Sequence, residues 1–78
     1  MTVIDKVYVV SRGWVIVTET NDEIRLTDKV LVNGKAFSIF GIEKVSWSNK
    51  VGLMLRPNGE SNEAASVGDT LEIIKSDL

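Results

Sequence analysis

Short runs of β-branched and aromatic residues alternate with turn residues along this chain. Residues 7–10 and 14–18 are the first two runs, and the Ser11-Arg12-Gly13 turn between them predicts a hairpin. In the second run apolar residues occupy both alternating faces, which is typical of a barrel and unusual for a sheet with one face in water. The start of the chain therefore predicts two strands, of which the second is at least partly covered on both faces.

The middle of the chain contains its strongest turn signal. Residues 23–26 alternate polar with apolar and predict a short half-buried strand, and a turn follows at residues 27–29. After an apolar run at residues 30–32 comes Asn33-Gly34, the dipeptide best suited to a two-residue type I′ turn, because both positions tolerate positive φ. Residues 35–40 should therefore pair back on residues 30–32, and Gly41 predicts a β-bulge or bend.

Two glycine-marked segments end the chain. The first, residues 51–56, places Val51, Leu53 and Leu55 on one face of a strand that Pro57-Asn58-Gly59 ends. Residues 60–66 are polar and predict either a loop or a single helical turn. Residues 67–70 then form a turn that leads into a last strand at residues 71–74.

This pattern predicts an all-β fold of six or seven short strands, with turns every eight to twelve residues and no convincing amphipathic helix. We expect a small closed antiparallel barrel with Greek-key-like connections, because closure removes the exposed strand edges that so short a chain cannot cover with helices. Seventy-eight residues support a single domain, residues 1–78, and we expect fraying at about residues 1–4 and 75–78.

Composition narrows the chemistry of the chain. It contains neither cysteine nor histidine, which removes disulfides, thiolate metal sites and the commonest general base. No pair of carboxylates and no serine or lysine with a base forms a recognisable catalytic set. The sequence therefore predicts a protein that is not an enzyme and that uses no cofactor and no metal.

The charge of the chain also bears on its partners. Nine lysines and arginines stand against eleven aspartates and glutamates, a net charge of −2, and no basic stripe of the kind that clamps phosphates is visible. The N-terminal residues show neither the basic start nor the apolar run of a signal peptide, and no segment has the length of a membrane span. We expect a cytoplasmic protein with no membrane partner.

Four short motifs carry a family resemblance: Ser11-Arg12-Gly13-Trp14-Val15, Val30-Leu31-Val32-Asn33-Gly34, Val51-Gly52-Leu53-Met54-Leu55-Arg56 and Val67-Gly68-Asp69-Thr70-Leu71. In this order they resemble the β-barrel that follows the GTP-binding domain in elongation factor Tu and its relatives. The chain departs from that pattern at Thr27-Asp28, where the family prefers Gly-Asp, and in the short loop before Val51. It also contains no P-loop sequence and hence no GTPase site.

The resemblance implies a free-standing barrel of the translation-protein type. In the full-length relatives this barrel contacts ribosomal RNA or the aminoacyl end of transfer RNA, so the resemblance also implies RNA or ribosome binding. The acidic net charge of this chain argues in the other direction.

Three residues are candidates for partner binding: Arg12, Trp47 and Arg56. Arg12 could present a guanidinium beside Trp14, unless Trp14 packs in the barrel and Arg12 is solvated. Trp47 has polar neighbours and could be an exposed interface aromatic, or it could cap one open end of the barrel. The functional interpretation of Arg56 is a phosphate or carboxylate contact, and the alternative is a surface pair with Glu60 or Glu63.

The acidic residues Glu60, Glu63, Asp69 and Glu72 lack the spacing of a calcium loop, which favours a solvated acidic face over cation binding. Asp69 should organise its turn by bonding local backbone amides.

From the sequence we therefore expect a non-catalytic interaction module in which loops at one barrel end, including Arg12, Trp47 and Arg56, contact a protein partner. One alternative is an RNA- or ribosome-associated accessory protein. Another is a small self-assembling structural protein of a phage or mobile element, and the sequence leaves the oligomeric state open.

Overall fold

The chain forms a single antiparallel sheet. A computed structural model describes residues 1–11, 13–45, 47–56 and 65–77. Its strands are β1 (Asp5–Val9), β2 (Gly13–Glu19), β3 (Lys29–Val32), β4 (Lys35–Lys44), β5 (Lys50–Arg56) and β6 (Leu71–Ile74). They lie in the order β1-β2-β5-β4-β3-β6, and no helix occurs in the described ranges. The predicted all-β class is confirmed as six antiparallel strands in one sheet.

The first and last strands of the sheet, β1 and β6, do not pair with each other in a ladder within the described residues. Residues 1–3, which lie before β1, nevertheless reach the start of β6. Thr2 forms an isolated bridge with Thr70, the Val3 amide donates to the Asp69 carbonyl over 2.9 Å, and the Leu71 amide donates to the Met1 carbonyl over 2.8 Å. The N-terminal residues, which the sequence predicts to fray, are thus hydrogen-bonded in this structure.

One face of the sheet encloses the hydrophobic core. Every strand except β1 contributes to it, and Ile16, Val30 and Leu53 have no exposed surface. The remaining core residues are Val3, Ile24, Val32, Phe37, Ile39, Val51, Leu55, Ala65 and Leu71. Burying each such side chain contributes about 1.5–3 kcal/mol, so this cluster is the main source of stability in a chain without disulfides.

The opposite face of β2 and β5 is also covered. Val15 and Met54 are both only 5% exposed, although alternation places them away from the core residues Ile16 and Leu53. A Cβ atom on Gly52 would lie 2.8 Å from Cγ1 of Val15. Glycine therefore creates the space into which this second apolar layer packs, and the expectation that both faces of the second strand are at least partly covered is confirmed for β2.

The β3–β4 hairpin matches its prediction. Asn33 and Gly34 have φ values of 51° and 85°, and Val32 pairs with Lys35 directly across the turn. Further along β4, the pairing with β5 shifts between Ile39 and Gly41, so that Phe40 is an extra residue on one side of the ladder. The predicted turn and the predicted bulge are both confirmed.

The strand predicted at residues 23–26 is wrong. These residues lie in the loop between β2 and β3, where Ile24 is buried and Leu26 is 57% exposed. The Asp28 carboxylate accepts a hydrogen bond from the Arg25 amide over 2.9 Å, and the Asp28 amide donates to the Arg25 carbonyl over 3.0 Å. Because these bonds close a turn, the backbone at Arg25 is not available for a ladder.

Candidate functional site

The most exposed aromatic side chain of the described residues is Trp47, in the segment that joins β4 to β5. Its relative exposure is 103%, so the indole covers none of the core. Its φ is 64°, in the left-handed region, which costs a residue with a Cβ about 1–2 kcal/mol. We call residues 45 and 47–49 the Trp47 loop.

Hydrogen bonds hold the Trp47 loop in place. The Val45 amide donates to the Lys50 carbonyl over 3.2 Å, and the Lys50 amide donates to the Ser48 hydroxyl over 3.0 Å. From the neighbouring loop, the Thr20 amide donates to the Asn49 carbonyl over 2.9 Å. The strained conformation of Trp47 is therefore supported by bonds on both sides of it.

Two lysines stand at the base of the Trp47 loop. Lys44 is the last residue of β4 and Lys50 is the first residue of β5, and both are exposed. Neither forms an ion pair with a carboxylate in the part of the chain that the structure describes. The segment that carries the exposed indole is thus flanked along the chain by two lysines without an ion pair.

A polar cleft of about 240 Å³ adjoins the loop. Lys44 and Lys50 line it together with the hydroxyl and amide side chains of Thr20, Asn21, Ser48 and Asn49, and with the acids Asp22 and Glu23. Hydroxyl and primary amide groups can both donate and accept hydrogen bonds. The cleft is therefore suited to a ligand that presents donors as well as acceptors.

A second cleft, of about 520 Å³, shares Asp22 and Glu23 with the first and is organised by Asp28. The amides of Arg25 and Ser76 each donate to the Asp28 carboxylate over 2.9 Å, and Lys75 Nζ lies 3.3 Å from it. These donors, the two backbone amides foremost, lower the pKa of Asp28 below its ordinary value. Lys75 also donates to the Glu23 carbonyl, so the C-terminal residues, predicted to fray, are fastened to this loop.

Arg56 lies far from Trp47. Lys50 and Arg56 are the opposite ends of β5, a strand of seven residues that spans roughly 20 Å. The Arg56 guanidinium stacks 4.8 Å from the centroid of the Phe40 ring. Its alternative partners, Glu60 and Glu63, lie outside the described residues.

Arg12 also lies outside the described residues, but its neighbour Gly13 begins β2. Because Glu19 at the other end of β2 pairs with Lys50, Gly13 lies toward the Arg56 end of the sheet. The expectation that all the candidate residues share one end is therefore wrong for Trp47 and Arg56. Trp14, considered as a core residue, is half-buried and makes an edge-to-face contact with Tyr8, with ring centroids 5.3 Å apart.

The acidic residues near the C-terminus divide into two roles. Asp69 accepts the Ser66 amide over 2.8 Å, in a turn where Gly68 has a φ of 97°, so the prediction that Asp69 organises its turn is confirmed. Glu72 is exposed on β6. Within the described ranges, no three potential metal-binding side chains are grouped closely enough to hold an ion.

Sequence reasoning identified Trp47 but missed Lys44, Lys50 and Asp28. The two lysines flank the loop because β4 ends at Lys44 and β5 begins at Lys50. The sequence pattern did not predict these strand ends. Asp28 in the Thr27-Asp28-Lys29 turn offered a signal, since aspartate commonly bonds nearby backbone amides. Its bond to Ser76, forty-eight positions away, has no counterpart in the local pattern.

The structure is thus that of a small all-β protein in which hydrogen bonds hold a loop with an exposed tryptophan beside a polar cleft lined by charged residues. Comparisons with models of protein families, with curated proteins and with solved structures find no match to this chain. Where the structure describes the chain, it contains no helix with the length and apolar character needed to cross a membrane.

Proposed function

We propose that this chain is a non-catalytic interaction module and that the Trp47 loop is its contact surface for a protein partner. The observation that carries the proposal is the full exposure of Trp47 in a left-handed conformation. Exposing an indole to water contributes nothing to folding, and holding it at positive φ costs free energy. Tryptophan is enriched among the residues that dominate binding at protein interfaces, which accounts for both costs.

We further propose that the sheet is a closed barrel of the type found after the GTP-binding domain in elongation factor Tu. What supports closure is the set of hydrogen bonds between residues 1–3 and residues 68–71, which bring the two ends of the sheet together. The pairing of β2 with β5 supports a Greek-key-like connection. The elongation-factor type rests on the sequence motifs, and a cytoplasmic location stays a prediction of the sequence.

RNA is a second candidate partner. A tryptophan between two lysines offers a stacking surface with nearby cations, the combination that single-stranded nucleic acids recognise. The net charge of −2 and the acids on the cleft wall weaken this candidate. It predicts salt-sensitive binding of labelled RNA, and no shift at low salt would exclude it.

The main proposal can be tested by site-specific photo-cross-linking in cells that naturally make the protein. A photoreactive aromatic amino acid replaces Trp47 in one variant, so that a large ring stays at this position, and it replaces Val10 in a matched control. Val10 is 81% exposed and lies in the turn at the other end of β2. We expect a discrete protein adduct at position 47 and none at position 10. The same adducts from both positions, or no adduct from position 47, would contradict the proposal.

Folding of the variants is checked separately. Because Trp47 is fully exposed, Trp47→Ala should change the free energy of unfolding by no more than about 0.5 kcal/mol. Thermal unfolding followed by circular dichroism measures this, and a loss of contact in a folded variant can then be assigned to the surface.

A further inference from the structure

We infer that the Trp47 loop and its cleft bind an acidic linear peptide, in which carboxylates flank an apolar or aromatic side chain. This inference rests on the proposed interaction function and adds the chemical class of its partner. Its basis is the distribution of paired and unpaired charges around Trp47.

Most cations of the described residues already have a partner. Lys6 lies over the Trp14 ring, Arg25 pairs with Glu23, Lys29 donates to Ser38, Arg56 stacks on Phe40 and Lys75 contacts Asp28. Within the described ranges, Lys35, Lys44 and Lys50 show no such contact. Two of these three, Lys44 and Lys50, lie at the ends of the two strands that the Trp47 loop joins, and both line the cleft beside that loop.

Of the two acids that line the cleft, Asp22 and Glu23, one already has a cationic partner. Glu23 is neutralised by Arg25, with the Nη2–Oε1 atoms 3.1 Å apart, which leaves Asp22 as the acid without an ion pair among the described lining residues. Two unpaired cations against one acid favour an anionic group on the ligand. Rim charges of this kind chiefly determine which partner is chosen and how fast it associates.

The polar groups of the cleft favour a peptide backbone over a phosphate backbone. The side-chain amides of Asn21 and Asn49 each supply donors and an acceptor, and a peptide backbone offers the complementary pair. A phosphate backbone only accepts hydrogen bonds and carries one negative charge per nucleotide, so Asp22 and the net charge of −2 oppose it more strongly than a peptide with a few carboxylates beside Lys44 and Lys50. Trp47 would supply the apolar contact at the centre of the interface.

The experiment selects ligands from a displayed library of random linear peptides, with the intact chain as bait. We expect the enriched peptides to share acidic residues around an apolar or aromatic position. A synthetic peptide of the enriched sequence is then titrated at low salt against wild type, Trp47→Ala, the double variant Lys44→Glu/Lys50→Glu, and Lys35→Glu. The last is a matched control, because Lys35 is an exposed and unpaired lysine in the hairpin turn at the other end of β4.

We expect Trp47→Ala to weaken binding about 30-fold, as for a hot-spot residue. The double charge reversal should weaken it about tenfold and abolish its salt dependence, and Lys35→Glu should leave it unchanged. Selected peptides without acidic residues, or equal effects of the lysine variants, would overturn the acidic-peptide inference while the interaction function stands. Peptides that bind Trp47→Ala as tightly as wild type would overturn both.

A labelled oligouridylate is titrated in parallel, as a single-stranded RNA probe. We expect the oligouridylate not to bind at concentrations at which the selected peptide saturates the protein. Trp47-dependent binding of oligouridylate tighter than that of any selected peptide would overturn the inference in favour of RNA.

Discussion

The two connections at the ends of β4 solve the same geometric problem with different residues. Before β4, the chain reverses through Asn33 and Gly34, whose φ values of 51° and 85° suit those residue types. After β4, the chain reverses through the Trp47 loop, where tryptophan adopts a φ of 64°. The residues of the Asn33-Gly34 turn favour its conformation, whereas Trp47 adopts a backbone conformation that is unfavourable for tryptophan.

The difference indicates which turn serves folding and which serves another purpose. Asn33-Gly34 stabilises the hairpin locally and is recognisable without tertiary information. The Trp47 loop is held by bonds from Thr20, Ser48 and Val45, so the surrounding structure compensates for the strain. Strain that is supported in this way, at a fully exposed aromatic residue, is typical of functional sites.

Among the substitutions considered, Gly52→Ala should lower the stability of the protein most. Gly52 lies in β5, the strand that follows the Trp47 loop. An alanine Cβ there would lie 2.8 Å from Cγ1 of Val15, a β-branched side chain that is held against the sheet. Gly52→Ala should therefore lower the free energy of unfolding by about 2 kcal/mol, measured by urea denaturation.

The matched control for Gly52 is Gly41. An alanine Cβ there would lie 2.7 Å from Cε of Met54, at the flexible end of a side chain that can move. Gly41→Ala should cost less than about 1 kcal/mol. Adding Val15→Ala should rescue part of the loss in Gly52→Ala, and simple additivity of the two substitutions would argue against the steric explanation.

The next largest loss of stability is expected for Gly34→Ala. Glycine is required at this position by the backbone conformation and not by the space around it. Nothing lies within 4 Å of a Cβ at this position, but its φ is 85°. Gly34→Ala should therefore destabilise the protein by about 1 kcal/mol through backbone strain alone. Thermal unfolding measures the change. A neutral result would show that the β3–β4 turn adapts, and the contrast with the Trp47 loop would weaken.

The sequence predicted the parts of the fold that depend on local chemistry. The Asn33-Gly34 turn, the bulge before Gly41 and the last strand at Leu71–Ile74 each follow from residues next to one another. The strand predicted at residues 23–26 is wrong because a neighbour along the chain, Asp28, accepts the Arg25 amide, and its long-range bond with Ser76 holds this turn in place. Alternation alone does not reveal such a competitor.

The candidate site shows the same division. For its central residue, Trp47, the sequence leaves two alternatives, an exposed interface aromatic or a cap on one open end of the barrel, and the structure shows the side chain fully exposed. Its separation from Arg56 follows from the length of β5, a strand that the local pattern already predicts at residues 51–56. The cleft beside Lys44 and Lys50 depends on the pairing of β5 with β2 and β4, which no local pattern encodes.

A smaller effect of opposite sign is expected for Trp47→Gly. Glycine removes the left-handed strain of about 1–2 kcal/mol, and the greater flexibility of the unfolded chain offsets about 0.5–1 kcal/mol of that gain. The indole makes no core contact that would be lost. We therefore expect the free energy of unfolding to rise by about 0.5 kcal/mol in chemical denaturation, and a marked loss of stability would show that Trp47 has a structural role.

The smallest loss of stability is expected only at acid pH, and it concerns the turn that the Asp28 carboxylate closes. The backbone donors at Asp28 lower its pKa in the folded state, so its contribution to stability is present above the ordinary aspartate pKa and is lost as the pH falls through the lower, folded-state pKa. Amide exchange at Arg25 and Ser76 should accelerate over that acid range, because both amides donate to the Asp28 carboxylate. The backbone pairing of Val32 with Lys35 uses no carboxylate and should stay protected until global unfolding, although the Asn33 side chain donates to Asp69. The control is Asp28→Asn, in which this difference between the two turns should no longer vary with pH. Equal acid sensitivity of the two turns in wild type would contradict the assignment of Asp28.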